Sequence, residues 1–272
     1  MEMKNMSIFS TTVLAFAALM LFSQHSRAQK KMTALEIMDT ASKTRKLDGS
    51  EAVMTLTIIN KKGQKRIRKT ATVTKLFDGG KTEKRLIRFL DPPDVKGTGF
   101  MTFDYEDKDD DMWIFLPAIR KTRRIVSSDK SKSFMGSEFA YGDMNIPVLE
   151  DYNYKILREE KLNGVDCWVI ESLPKKKETA KDDGYSKKIS WISKDHFNIH
   201  KGEYHDLDGK LLKILTVKEF KLLDSKKKRY RPMNMEMVNK QNGRKSIFKT
   251  NKIEFTPDTK DEYFSIRYLE RQ

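Results

Sequence analysis

Turn dipeptides constrain the fold of this chain more than any other feature of its sequence. They are Lys62-Gly63, Asn163-Gly164, Asp208-Gly209 and Asn242-Gly243, and each lies between stretches that alternate apolar with polar residues. The Asn-Gly and Asp-Gly pairs are strong hairpin signals, because a type I′ turn needs positive φ at both central residues. The sequence therefore predicts a long antiparallel meander, which must curl to bury one face.

The alternation predicts one helix followed by about 11–12 strands in a single mainly β domain. A capping box of Thr33 and Glu36 begins the helix, which runs to about Lys46. The strands are predicted over residues 51–59, 65–76, 83–90, 99–105, 112–116, 152–161, 165–172, 186–193, 198–206, 210–221, 231–239 and 244–255.

The first residues indicate export. An uncharged apolar stretch runs from Ile8 to Phe22, and the small residues around Ala28 are typical of a signal-peptidase site. The stretch is shorter than the roughly 20 residues of a spanning helix. We therefore expect residues 1–28 to be a signal peptide, cleaved after Ala28, and residues 29–272 to be the exported domain, which is periplasmic in a bacterium with two membranes. No cysteine lies directly after the apolar stretch to carry a lipid.

The formal net charge of +15 does not by itself decide which class of partner the protein binds. Exported proteins rarely meet nucleic acid, so we expect no nucleic-acid partner. Basic runs such as 175–177 and 226–229 fit solvated loops or transient contact with an anionic membrane surface.

Cys167 is the only cysteine, which excludes an intrachain disulfide, and its apolar neighbours indicate a buried thiol.

Residues 117–150 show neither helical nor strand periodicity, and so long a loop is usually functional or disordered. Its aromatic and glycine content argues against disorder. Arg120, Arg123 and Arg124 suit a phosphate or carboxylate headgroup or an acidic patch of a partner, and equally suit ion pairs with the loop's own Glu138 and Asp143. The predicted headgroup or partner loop consists of Arg120, Arg123, Arg124, Phe134, Met135 and Phe139.

The stretch from Trp113 to Asp143 contains the patterns Trp-x-x-Leu-Pro-Ala-x-Arg-x-x-Arg-Arg and Ser-Phe-Met-Gly-Ser-Glu-Phe. With these patterns it resembles the outer-membrane lipoprotein-sorting proteins of the LolA-like superfamily, and the resemblance implies that residues 29–272 are a carrier domain of this type. The resemblance implies a half-open antiparallel β-barrel with a loop or helix lid over its concave side. It also implies a carrier that moves lipid or lipoprotein acyl chains through the periplasm, with a transporter of the resistance-nodulation-division (RND) type as partner.

An open barrel lined by methionine and aromatic side chains can accept flexible acyl chains, and the chain has fourteen Met and fifteen Phe. We expect the inner wall of the barrel to remain partly unfilled; the alternative is that the same side chains fill a packed core. The predicted cavity residues are Met54, Leu56, Ile58, Phe89, Phe103, Trp113, Phe115, Trp168, Met235 and Met237.

Enzymatic signals are weak, and the sequence predicts neither catalytic residues nor a cofactor. His196, His200 and His205 fall close together, but a regular strand would not point all three to one face. The acidic run 106–111 lacks the glycine and terminal glutamate of an EF-hand. We therefore predict no metal site. The sequence favours a lipid carrier over a ligand-free accessory or sensor module that binds a transporter or signalling protein through residues 117–150, and over a hydrolase.

Overall fold

The computed structural model describes residues 31–271, of which those from Thr33 on form one compact unit. The predicted signal peptide lies outside the described residues. No helix within residues 31–271 has the length and apolar character needed to cross a membrane. The helices are α1 (Ala34–Thr44), α2 (Lys177–Asp183) and α3 (Ile266–Leu269). The strands are β1 (Gly49–Ile59), β2 (Lys65–Phe77), β3 (Thr82–Asp91), β4 (Gly99–Tyr105), β5 (Asp111–Leu116), β6 (Lys121–Ile125), β7 (Tyr152–Leu162), β8 (Val165–Pro174), β9 (Lys187–Ser193), β10 (Ile199–His205), β11 (Leu211–Asp224), β12 (Arg229–Asn239) and β13 (Lys245–Phe255).

The strands form one open antiparallel sheet in the order β6-β5-β4-β3-β2-β1-β13-β12-β11-β10-β9-β8-β7. The predicted mainly β, half-open barrel with an N-terminal helix is confirmed. The edge strands β6 and β7 are consecutive in sequence and are joined by residues 126–151. A segment that links both edges of an open sheet must cross its open side. The topology therefore brings residues 126–151 to the mouth of the half-open barrel.

All twelve predicted strands are present, and β6 is an addition. Its residues, from Lys121 to Ile125, pair with β5 through the backbone. Four of its five residues are polar or charged, so they show no apolar alternation. Charged side chains are typical of edge strands, where they oppose pairing with another chain.

The hairpin predictions are right in position but only partly right in turn type. At Asn163-Gly164 both residues have positive φ, 49° and 88°, as a type I′ turn requires. At Asp208-Gly209 only the glycine has positive φ. There the Gly209 amide donates to the Asp206 carbonyl at 2.9 Å, which fits a longer loop that ends on a left-handed glycine.

Helix α1 begins with the predicted capping box. The Thr33 hydroxyl accepts from the Glu36 amide at 3.2 Å, and the Glu36 carboxylate accepts from the Thr33 amide at 2.7 Å. Its buried side, which includes Ile37 and Ala41, packs against β7 and the turn Leu149–Asp151. The helix therefore covers the β7 end of the sheet.

Candidate functional site

The apolar inner wall of the barrel, here called the trough, is built from strands on both sides of the β1–β13 junction. Leu56 and Ile58 on β1, Phe89 on β3 and Met237 on β12 are all buried in it, and Met54 and Met235 pack against it. Six of the ten predicted cavity residues are thus brought together. The other buried strand residues of the trough are Ile87, Phe100, Met112, Ile114, Ile125 and Phe248.

A hairpin from residues 126–151 occupies the trough, and we call residues 133–140 the plug. Ser133 and Ala140 form an isolated β-bridge, and the Phe134 amide donates to the Phe139 carbonyl at 2.7 Å. Met135 and Gly136 at its tip have φ values of 51° and 76°. The centre of the predicted loop is therefore a compact hairpin with a type I′-like tip.

Phe134 is the centre of the plug and is fully buried. Its ring centroid lies 6.1 Å from that of Phe89 on β3, 5.1 Å from Phe100 on β4 and 6.4 Å from Phe248 on β13. Strands β3 and β13 are three positions apart, or about 14 Å in a flat sheet. Because one ring contacts both strands, the sheet must curl around it. The expectation of a partly unfilled wall is not met here, because the chain's own aromatic residues fill it.

Polar contacts hold the tip of the plug. Arg68 donates to the Met135 carbonyl, and Arg244 donates to the Gly136 carbonyl at 2.9 Å. Glu138 is buried and forms an ion pair with Arg244 at 2.9 Å. The same carboxylate accepts from the Asn239 side chain at 2.9 Å. The plug is therefore attached to the sheet by directional contacts as well as by packing.

A second group of inward-facing residues, the charged layer, consists of Glu83, Arg85, Asp104, Asp110 and Arg231. Glu83 forms an ion pair with Arg85 and lies 3.7 Å from Arg231. Burial alone would raise the pKa of Glu83, but these two arginines outweigh it and keep the pKa below its usual value. Glu83 therefore remains ionised at neutral pH.

The pKa of Asp104 is shifted upward, in the opposite direction to that of Glu83. Burial, together with the neighbouring Asp110 and Glu83, raises the pKa of Asp104 to about 7. Burial also raises the pKa of Asp110 to about 6. The Asp104 carboxylate accepts from the Ile146 amide at 2.8 Å, and Arg85 donates to the Met144 carbonyl. The charged layer thus holds the segment that follows the plug.

Three predicted cavity residues lie on the opposite face of the sheet. Phe115 is buried in a second cluster with Met101 and Leu269, against which Phe103 and Trp113 pack. Successive strand residues point to opposite faces, and β4 and β5 are apolar on both. Phe103, Trp113 and Phe115 are therefore separated from the trough residues by the sheet itself.

Trp168, the remaining predicted cavity residue, is paired across strands with Ile192 on β9. Its ring lies 5.4 Å from that of Phe197, and the Lys194 ammonium lies 5.6 Å from its centroid. It is not part of the trough cluster around Phe134. The structure thus places it towards the β7 end of the sheet.

The three arginines of the predicted loop are exposed and do not pair with the loop's own carboxylates. Arg124 forms an ion pair with Asp111 across β5 and β6. Glu138 pairs instead with Arg244, and Asp143 accepts from the Tyr185 hydroxyl at 3.1 Å. The ion-pair alternative for the three arginines is therefore wrong. Arg120 and Arg123 lie at the solvent-exposed edge of the sheet.

The three apolar residues of the predicted loop are less exposed than its arginines. Phe134 and Phe139 are buried in the trough, and Met135 is partly buried against it. All three lie against the apolar wall of the trough, which the sequence predicted to consist of other residues. Their predicted headgroup or partner role remains a prediction.

His196 and His200 each pack against an aromatic ring. His196 stacks on Tyr230 with ring centroids 4.2 Å apart, and His200 lies 4.7 Å from Phe220. Burial lowers the pKa of His200. Within residues 31–271, no group of three or more His, Cys, Asp or Glu residues is arranged to hold a metal ion.

Sequence reasoning missed the charged layer and two central trough residues, Phe100 and Phe248. A signal was present for Glu83 and Arg85, because they share strand parity with Ile87 and Phe89 on β3 and must face inward with them. For Arg231, which lies on a distant strand, no local pattern indicates that it meets Glu83.

Comparison with known proteins decides the family. A solved domain from Vibrio parahaemolyticus, assigned as an outer membrane lipoprotein-sorting protein, is 33% identical with a TM-score of 0.79, over 88% of this chain and 98% of that chain. The chain belongs to the outer membrane lipoprotein-sorting protein family. A DUF1329 family protein from Desulfovibrio piger is 28% identical with a TM-score of 0.79, over 87% of this chain and 97% of that chain.

A LolA superfamily protein from Nitrosomonas europaea shares the fold at 20% identity, with a TM-score of 0.66 over 88% of this chain and 100% of that chain. A family model with the description "uncharacterized protein" matches residues 81–271, which include the plug and the charged layer. A search of the curated proteins finds no match.

Proposed function

We propose that this protein is a non-catalytic carrier that binds lipid, or the acyl chains of lipoproteins, in the trough. The observation that carries the proposal is the way the trough is filled. Its wall comes from an open sheet, but its centre is occupied by Phe134 and Phe139 of a hairpin in a segment that joins two edge strands. Withdrawal of the plug would expose an apolar wall without unpairing any strand.

The energetics suit reversible binding. Each buried CH₂ contributes about 0.8 kcal/mol, so a long acyl chain gains on the order of 10 kcal/mol of gross burial. Displacing Phe134 and Phe139 costs about 1.5–3 kcal/mol for each ring. The net affinity is therefore moderate, and the returning plug assists release of the cargo.

The place of action and the partner are part of the same proposal. The apolar stretch before Ala28 supports export to the periplasm, with delivery towards the outer membrane. The resemblance of residues 113–143 to companions of RND-type exporters supports such a transporter as partner. The comparison with the Vibrio lipoprotein-sorting domain supports acyl chains as cargo.

Native mass spectrometry of protein purified from the membrane fraction of its host tests the carrier function. The expected result is protein with bound lipid or lipoprotein, displaced by added fatty acid. Cargo-free protein that also takes up no fluorescent fatty acid would contradict the proposal.

The accessory-module alternative keeps one specific observation in its favour. Edge strand β6 presents exposed Arg123, and the exposed residues Ile119, Arg120 and Val126 flank the strand. This surface suits an acidic partner protein. If this is the functional surface, Arg124→Ala abolishes partner pull-down and leaves lipid binding intact. If cargo carriage is the function, partner pull-down survives in Arg124→Ala and both proteins bind lipid.

A further inference from the structure

A basic pocket of about 530 Å³ opens at the end of the trough. Its wall contains Lys61, Lys62, Arg66 and Arg244, together with two side-chain amides, and no carboxylate. Ile58, a buried residue of the trough, also lines it. The pocket therefore joins an apolar wall directly to a cluster of positive charge.

Strand register explains this junction. Ile58 pairs with Arg66, and Leu56 pairs with Arg68, across β1 and β2. Paired residues point to the same face, so both arginines extend over the face that carries the trough. Burial and the adjacent Arg66 together lower the pKa of Arg68. The two arginines thus create positive potential that an anion would relieve.

The turn that carries the lysines is preorganised. The Asn60 side-chain oxygen accepts from the amides of Lys62 and Gln64 at 2.9 and 3.0 Å. The Asn60 side-chain amide donates to the Gln64 side chain at 2.7 Å. Lys61 and Lys62 are exposed and extend from this fixed loop. Less conformational entropy is lost when a ligand binds to such a site.

We propose that this pocket binds the anionic headgroup, a phosphate or a carboxylate, of an amphiphile whose acyl chain enters the trough. The inference rests on the proposed carrier function and specifies the class of cargo. Arginine forks and lysine ammonium groups are the donors that such headgroups prefer. An acyl chain over Leu56 and Ile58 places its head about 10 Å beyond Ile58, at the Lys61-Lys62 turn that follows β1.

The test compares two lipids that share one chain. The probes are myristoyl lysophosphatidylglycerol, which is anionic, and myristoyl lysophosphatidylcholine, which is zwitterionic, both below their critical micelle concentrations. Inorganic phosphate is a third probe. The variant is K61Q/K62Q/R66Q, and the control K175Q/K176Q/K177Q removes the same number of exposed charges at the junction of β8 and α2. Arg244 is left intact because it holds the plug.

The wild-type chain and the control should bind the anionic lipid about tenfold or more tightly than the zwitterionic one, as one charge-assisted hydrogen bond predicts. The triple variant should bind both equally, with an unchanged thermal transition. Equal binding of both lipids by the wild type, or a preference that survives in the triple variant, would overturn the headgroup site and leave the carrier function standing. Phosphate binding without binding of either lipid would instead overturn the carrier function and the link to the trough.

Discussion

Removing the ring of Phe134, at the centre of the plug, should change stability and cargo affinity in opposite directions. Phe134 is fully buried, and its ring lies 5.1–6.4 Å from four other aromatic rings. Phe134→Ala should lower the free energy of unfolding by about 3–5 kcal/mol, the usual cost of emptying a buried phenylalanine site. Urea denaturation followed by tryptophan fluorescence measures this loss.

The same substitution should strengthen acyl-chain binding. The inserted plug loses about 1.5–3 kcal/mol of ring burial relative to the withdrawn plug. Because the competent state is the withdrawn one, the affinity for a fluorescent fatty acid should rise by about 10- to 100-fold. If the plug competes with the acyl chain for the trough, this one substitution should both destabilise the protein and strengthen fatty-acid binding.

Phe115→Ala is the matched control. Phe115 is equally aromatic and buried, but it lies in the cluster on the opposite face of the sheet. It should lose comparable stability and leave fatty-acid affinity unchanged. Unchanged affinity in Phe134→Ala, or an equal rise in both variants, would refute the reasoning that the plug competes with cargo.

Three further predictions concern the charges. Glu83→Gln leaves Arg85 and Arg231 without their buried counter-charge, so urea denaturation should show a loss of about 3–5 kcal/mol, and a loss below about 1 kcal/mol would contradict the ion-pair account. The pKa of Asp104 is raised from 3.8 to about 7, so the folded state binds its proton more tightly, and the stability from this group is lost as pH rises towards 7. Asp104→Asn should remove that decline, so its stability relative to wild type should increase between pH 4 and 7.5; a pH-independent difference would exclude the assignment. Arg124→Ala should change the unfolding free energy by less than about 1 kcal/mol in the same assay, because its ion pair is solvent-screened, and a larger loss would show a structural role.

The sheet could be predicted from sequence because apolar alternation and turn residues are local signals. Strand β6 was not predicted because four of its five residues are polar or charged and only Ile125 is buried. Helix α2 lies in a lysine-rich stretch that reads as a loop, and none of its residues is buried. Elements that contribute little to the core leave little trace in a hydrophobic pattern.

The face assignments failed where a strand is apolar on both sides. Strand β5, with Trp113 between Met112 and Ile114, contributes to the trough and to the opposite cluster at once. The sequence of β5 alone therefore does not indicate which of its two faces points into the trough. The buried role of Phe134 was equally hidden, because a loop residue acquires its neighbours from strands distant in sequence.

The most direct measurement is photo-crosslinking of the protein to a fatty acid that carries a diazirine in the middle of its chain, followed by peptide mapping. If the trough is the cargo site, the label should fall on Leu56, Ile58, Phe89 and Met237, and it should increase in Phe134→Ala. Labelling concentrated on Phe103, Trp113 and Phe115 would place the cargo on the opposite face of the sheet and contradict the account.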